Sequence, residues 1–157
     1  MKIFHVAITL FVSATITLAQ IPVIWKESYP GIWKAEVGKL QKHSLLKAAG
    51  GKANLAALQL LPKTQFPLDK GAIEVKVIDG KTYLKFPLQK EEQIFGLGLN
   101  FQTVNQRGRI LNLHMDHFGG KDNGRTHAPV PFYVSTKGYG VLIDAAQYIT
   151  VYAGTGV

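Results

Sequence analysis

The sequence contains no cysteine. This excludes disulfides, thiolate metal sites and a lipid-bearing cysteine behind a leader. It does not argue against export, because a chain of 157 residues can close a core without disulfide staples. Acidic residues are also scarce: ten Asp and Glu stand against eighteen Lys and Arg, for a formal net charge of +8. Long hydrophobic runs are missing after residue 19, so no segment of 20–157 is expected to span a bilayer. There is no internal repeat and no low-complexity tract.

What is present is a globular composition, with 46% hydrophobic and 18% charged residues. Sixteen Gly and seven Pro favour short strands and many turns over long helices. The basic excess is uneven. Residues 26–90 hold twelve Lys and five acids, whereas 91–157 hold five Lys or Arg and five acids. The lysines are spread singly, without runs or interleaved aromatics, so a solvated surface is the better reading and no nucleic-acid partner is expected. Steeply salt-dependent binding to DNA or heparin would favour the opposite reading, a protein for anionic polymers.

Residues 1–19 read as a signal peptide. Lys2 supplies a short positive region, Ile3–Leu18 is mostly apolar, and Thr17-Leu18-Ala19 offers small residues before Gln20. A membrane anchor is the competing reading, but the stretch is short and carries several hydroxyls. The expectation is therefore an exported protein, periplasmic or extracellular, whose mature part is 20–157.

The clearest local signal lies at 72–88. Ile73, Val75 and Val77 alternate with Glu74 and Lys76, the period of a half-buried strand. Asp79-Gly80 then suits a two-residue hairpin turn, Tyr83, Leu84 and Phe86 continue on the return strand, and Pro87 ends it. Further strands are expected at Ile110–Asp116, Val130–Ser135, Gly140–Asp144 and Tyr148–Tyr152, with a turn at Lys137-Gly138. Ile21–Trp33 reads as extended. Ser44–Leu61 has helical leanings that Gly50-Gly51 interrupts. The fold class is all-β, an antiparallel sandwich or barrel. The polar loop from His117 to Ala128 is where function belongs on such a scaffold.

These residues carry a family resemblance. Glu92-Gln93-Ile94-Phe95-Gly96-Leu97-Gly98 resembles the E-x-x-Y-G-L-G signature of glycoside hydrolase family 31. Leu113-His114-Met115-Asp116 follows about fifteen residues later. Pro131-Phe132-Tyr133-Val134-Ser135 and Gly138-Tyr139-Gly140-Val141-Leu142 then resemble that family's P-F-x-x-S and G-Y-G-V strands. The resemblance covers 72–157 well and 25–71 loosely, and it implies that irregular or β structure suits Ser44–Leu61 as well as helix does. It implies a galactose mutarotase-like β-sandwich, an N-terminal domain that packs on a (β/α)8 barrel. Two barrel aspartates hydrolyse α-glycosides there with retention. A loop of the N-terminal domain shapes the sugar subsites at the barrel mouth. The expectation is that 20–157 forms this sandwich, incomplete at its C-terminal end, with the barrel absent from the chain and no catalytic residue within it. Phe95 replaces the family's usual Tyr, and the stretch Asp116–His127 departs from the usual loop.

Several sharper readings compete. Gly96-Leu97-Gly98 lacks the third glycine and following helix of a dinucleotide loop; tight turning or close backbone approach explains it better. His114, Asp116, His117 and His127 offer ligand-type side chains, yet such clusters are common and hydrogen-bonded loop anchors explain them as well. No metal or other cofactor is expected. Retaining hydrolysis needs two carboxyls about 5 Å apart. Glu91 and Glu92, neighbours on an expected strand, would point to opposite faces, and Asp116 and Asp122 flank a loop without an apolar pocket. The favoured site is sugar contact by the loop. Asp116 accepts from sugar hydroxyls, and His117 begins the loop. Arg125 donates to sugar or pairs with Asp122, and His127 touches a neighbouring sugar or the barrel. Phe132, Tyr133, Tyr139, Tyr148 and Tyr152 are read as core or sheet-face aromatics, with a sugar-stacking platform as the minority reading. The alternative function is a non-catalytic exported carbohydrate-binding module.

Overall fold

The computed structural model describes residues 21–38, 43–51, 54–100, 102–115, 125–126 and 128–155. The expected signal segment, 1–19, lies outside them. Ten strands dominate: β1 (Lys26–Tyr29), β2 (Ile32–Lys34), β3 (Glu74–Ile78), β4 (Lys81–Lys85), β5 (Ile94–Gly96), β6 (Arg109–Met115), β7 (Arg125–Thr126), β8 (Phe132–Ser135), β9 (Tyr139–Leu142) and β10 (Ile149–Ala153). Two single-turn helices, Leu45–Ala48 and Leu55–Leu58, fill the stretch where helix and irregular structure were both open. The break between them contains Gly50, which adopts φ 63°. No helix among the described residues is long and apolar enough to cross a membrane.

The local turn chemistry behaves as the residues dictate. Asp79 and Gly80 take φ 50° and 74° between β3 and β4, as a turn with two positive-φ centres requires. The five paired positions run from Glu74↔Lys85 to Ile78↔Lys81. Gly138, at φ 80°, closes the β8–β9 turn. Pro30 and Gly31 close the β1–β2 hairpin, and the Glu27 carboxylate accepts from Gly31 N–H at 3.1 Å. Phe66 packs between Trp25 (4.9 Å) and Trp33 (5.4 Å), giving this hairpin a small aromatic core of its own.

Two three-stranded sheets make the sandwich. One has the order β10-β6-β7, the other β5-β8-β9. They meet across Leu97, Leu111 and Leu113, with Tyr133, Ile149 and Val151 packed against that cluster. The period of two explains it: alternate residues of β6 and β10 turn inward. Among the described residues the pairings are antiparallel with one exception. β7 runs parallel to β6, through Asn112↔Arg125 and Met115↔Thr126.

Candidate functional site

Three motif segments converge on one carboxylate. Glu92 lies just ahead of β5, Ser135 ends β8 and Tyr139 begins β9. Ser135 Oγ and the Tyr139 hydroxyl both donate to Glu92 Oε1, each at 2.5 Å. Gln89 N–H donates to the other oxygen, Oε2, at 2.9 Å. The backbone here is held as well. Arg107 donates from one guanidinium nitrogen to the carbonyls of Gln89 (2.8 Å) and Glu92 (2.6 Å). Glu92 is 1% exposed, so an ionised carboxylate persists there only because these donors replace water.

Electrostatics follow from that geometry. Burial pushes the Glu92 carboxyl up, but the hydrogen bonds from Ser135, Tyr139 and Gln89, helped by the Lys137 charge, outweigh it and hold the group below its ordinary value. Tyr139 is pushed up to about 12, by burial first and then by its bond to the Glu92 charge. Burial also raises the neighbouring Tyr133, whose ring lies 6.4 Å from that of Tyr139. Both phenols therefore stay protonated donors. With both oxygens engaged inside the protein, Glu92 is a structural clasp and is not offered to a substrate.

This corrects one expectation. Glu91 and Glu92 do not share a strand, for Lys90–Glu91 form a turn and β5 starts only at Ile94. The clasp itself was missed by sequence reasoning. The available signal was that Glu92 opens one motif while Ser135 and Tyr139 sit in the other two.

The clasp positions a second feature. Gly96, Leu97 and Gly98 all take positive φ, at 111°, 64° and 95°. A Cβ on Gly96 would stand 2.7 Å from Phe132 O, and one on Gly98 would collide with Ala128 O. Leu97 N–H donates to Phe132 O at 2.8 Å, and Leu99 N–H to Ala128 O at 3.2 Å. The glycines thus serve close backbone approach, against the strap 128–132, and not a dinucleotide. Leu97 is buried in the sandwich core, which offsets the cost of its left-handed backbone.

That strap is the return limb of the polar loop. The loop leaves β6 after Met115 and comes back as β7 beside the same strand. Arg125, an expected sugar contact, is placed by its backbone opposite Asn112. Asp116, His117 and His127 lie outside the described residues, as does Asp122. Of the four ligand-type residues, His114 alone is described; its ring meets Tyr148 at 4.9 Å. Among the described residues no three His, Asp or Glu side chains gather to hold a metal.

Comparison with known proteins agrees with this architecture. Residues 33–151 match the family described as glycosyl hydrolase 31 N-terminal galactose mutarotase-like domain. Alpha-xylosidase XylQ of Lactiplantibacillus pentosus is 31% identical over 65 residues, 41% of this chain and 8% of that protein. An alpha-xylosidase of Emericella nidulans shows the same identity and coverage. An isomaltosyltransferase of Sporosarcina globispora is 26% identical over 57 residues, 36% of this chain and 5% of that protein. The matched segments therefore span less than a tenth of each relative's length.

Proposed function

We propose, from the premise that the chain belongs to the glycosyl hydrolase 31 N-terminal galactose mutarotase-like family, that it shapes the substrate mouth of an exported retaining α-glycosidase. The catalytic carboxylates belong to a (β/α)8 barrel domain outside residues 20–157. The observation that carries this reading is the coupling of clasp, glycine turn and strap. Glu92 fixes the start of β5, β5 leads into Gly96–Gly98, and that turn packs on the root of the 116–127 loop. A loop held at its root by backbone contacts can present polar groups to a sugar at low ordering cost. On this loop Asp116 accepts from sugar hydroxyls, Arg125 donates, and His117 and His127 bound the subsite. The substrate is an α-glycoside. The names of two relatives, both alpha-xylosidases, support an α-glycoside and make α-xylosides, beside α-glucosides, substrates to try. Residues 1–19 direct export.

The test uses the whole gene product and p-nitrophenyl α-xyloside and α-glucoside. Asp116→Ala should lower kcat/KM by about tenfold or more with the melting temperature held. The 157-residue chain by itself should turn over neither substrate. Robust hydrolysis by that chain, or an Asp116→Ala enzyme with unchanged kcat/KM on both substrates, refutes the proposal.

A further inference from the structure

The outer face of the β10–β6 pair has a composition that packing does not explain. Leu111, Leu113, Ile149 and Val151 turn into the sandwich, so Ile110, Asn112 and His114 of β6 turn outward with Tyr148, Thr150 and Tyr152. The register sets them in ranks: Ile110 opposite Tyr152 and Asn112 opposite Thr150. Ile149 pairs with Leu113, which brings Tyr148 to His114, their rings 4.9 Å apart and steeply inclined at 61°. Tyr148 is 86% exposed and Tyr152 53% exposed. An open depression lined by Ala146, Gln147 and Tyr148 adjoins the first ring. Between the two tyrosines, Thr150 Oγ1 donates to Asn112 Oδ1 at 3.1 Å. That bond fixes the amide and leaves its nitrogen as a donor and the hydroxyl oxygen as an acceptor.

We propose that this face is a platform for a pyranose oligosaccharide, adjoining the 116–127 loop, whose Arg125 is paired by its backbone with Asn112. The inference rests on the carbohydrate reading above and extends it to a second surface. Two properties select the ligand. Exposed aromatic rings match the apolar C–H faces of pyranose rings, while the amide of Asn112 and the hydroxyl of Thr150 between them pair with sugar hydroxyls. Tyr148 and Tyr152 are four residues apart, roughly 13 Å along a strand, so a chain of sugars reaches both rings and a single sugar does not. The ranks end at His114, two residues before Asp116, so a bound chain leads toward the root of the proposed mouth loop.

The 157-residue chain is titrated with maltoheptaose and with a xyloglucan heptasaccharide, followed by tyrosine fluorescence. Saturable binding of at least one is expected. Tyr148→Ala with Tyr152→Ala should weaken it about tenfold or more, and Tyr148→Phe should stay within about twofold of the unaltered chain. Tyr148→Ala alone truncates a side chain that is 86% exposed and meets the His114 ring at its edge, and an unchanged melting temperature separates its effect on binding from any on folding; a clear loss of affinity is expected there too. No binding by the unaltered chain, or equal binding by the Ala variants, overturns the platform, whatever the whole gene product does to aryl α-glycosides. Platform binding with no effect of Asp116→Ala on hydrolysis overturns only the mouth-shaping reading.

Discussion

The hydroxyl of Tyr139 and the carboxylate of Glu92, 47 residues apart in the chain, are joined by a buried hydrogen bond of 2.5 Å. Ser135 completes the arrangement from the same side, so β5, β8 and β9 share one charged anchor. Glu92→Ala would leave the Ser135 hydroxyl and the Tyr139 phenol without their acceptor, at a cost of about 3 kcal/mol. Glu92→Gln is subtler. Its amide oxygen can still accept from Ser135 and Tyr139, but its NH2 then faces the Gln89 N–H, donor against donor. A loss of about 2 kcal/mol is expected, read as a drop of roughly 6 °C in Tm for a chain of this size. Equal melting of both variants and the unaltered chain would show that the clasp contributes nothing.

Acid should open the same clasp. The folded Glu92 carboxyl lies below its ordinary value, and a depressed group contributes stability above its unfolded pKa that is lost as pH falls through the folded one. The Tm should therefore fall as pH drops from about 5 to about 3. Glu36 and Glu74 are also depressed, the first by its hydrogen bond to Lys34 and the second by its bond to Lys85. Both lie at the surface, where ion pairs contribute little. In Glu92→Gln the acid-dependent fall should be visibly shallower. Parallel pH profiles for the two proteins would assign the acid sensitivity elsewhere.

What the sequence made legible was local. The Asp79-Gly80 turn and the alternation around Val75 place β3 and β4 correctly, because a two-residue turn and a half-buried strand are each decided by neighbouring residues. The strands around Leu111, Val134 and Val151 were legible for the same reason. Glu92 was not, because its partners lie 43 and 47 residues away and nothing near it in sequence marks it as buried. Its local setting misled: an apolar run follows it, yet the chain turns at Lys90–Glu91 and β5 is only three residues long. The parallel β6–β7 pair escaped too, since two residues, Arg125 and Thr126, carry no periodicity. Of the expected sugar contacts, Arg125 is placed by its backbone, while Asp116, His117 and His127 lie outside the described residues.

The outer face of the second sheet leads to a solubility prediction. Phe132 stands opposite Leu142, and Val134 opposite both Phe95 and Gly140. Phe132, Val134 and Leu142 are each more than two-fifths exposed. A contiguous apolar surface of this kind promotes association. Val134→Lys should reduce concentration-dependent light scattering while changing stability by no more than about 0.5 kcal/mol. Scattering that is unaltered at matched concentration would show that this face does not drive association.

The glycines separate backbone strain from steric closeness. Gly98 and Gly138 both take positive φ, at 95° and 80°. An added Cβ at Gly138 meets nothing within 4 Å, so Gly138→Ala pays only for its backbone, about 1 kcal/mol. At Gly98 the same carbon collides with Ala128 O and stands 3.0 Å from Pro129 Cα. Those are main-chain atoms of the strap, which cannot swing aside as a side chain does. Gly98→Ala should therefore cost at least about 3 kcal/mol or push the strap off the turn. Because the strap is the return limb of the 116–127 loop, the displaced case has its own readout. Protease cleavage near Ala128 should accelerate in Gly98→Ala and stay at the unaltered rate in Gly138→Ala. Equal melting and equal cleavage of the two variants would mean that the turn does not hold the loop root, and the link from clasp to mouth would fail at that step.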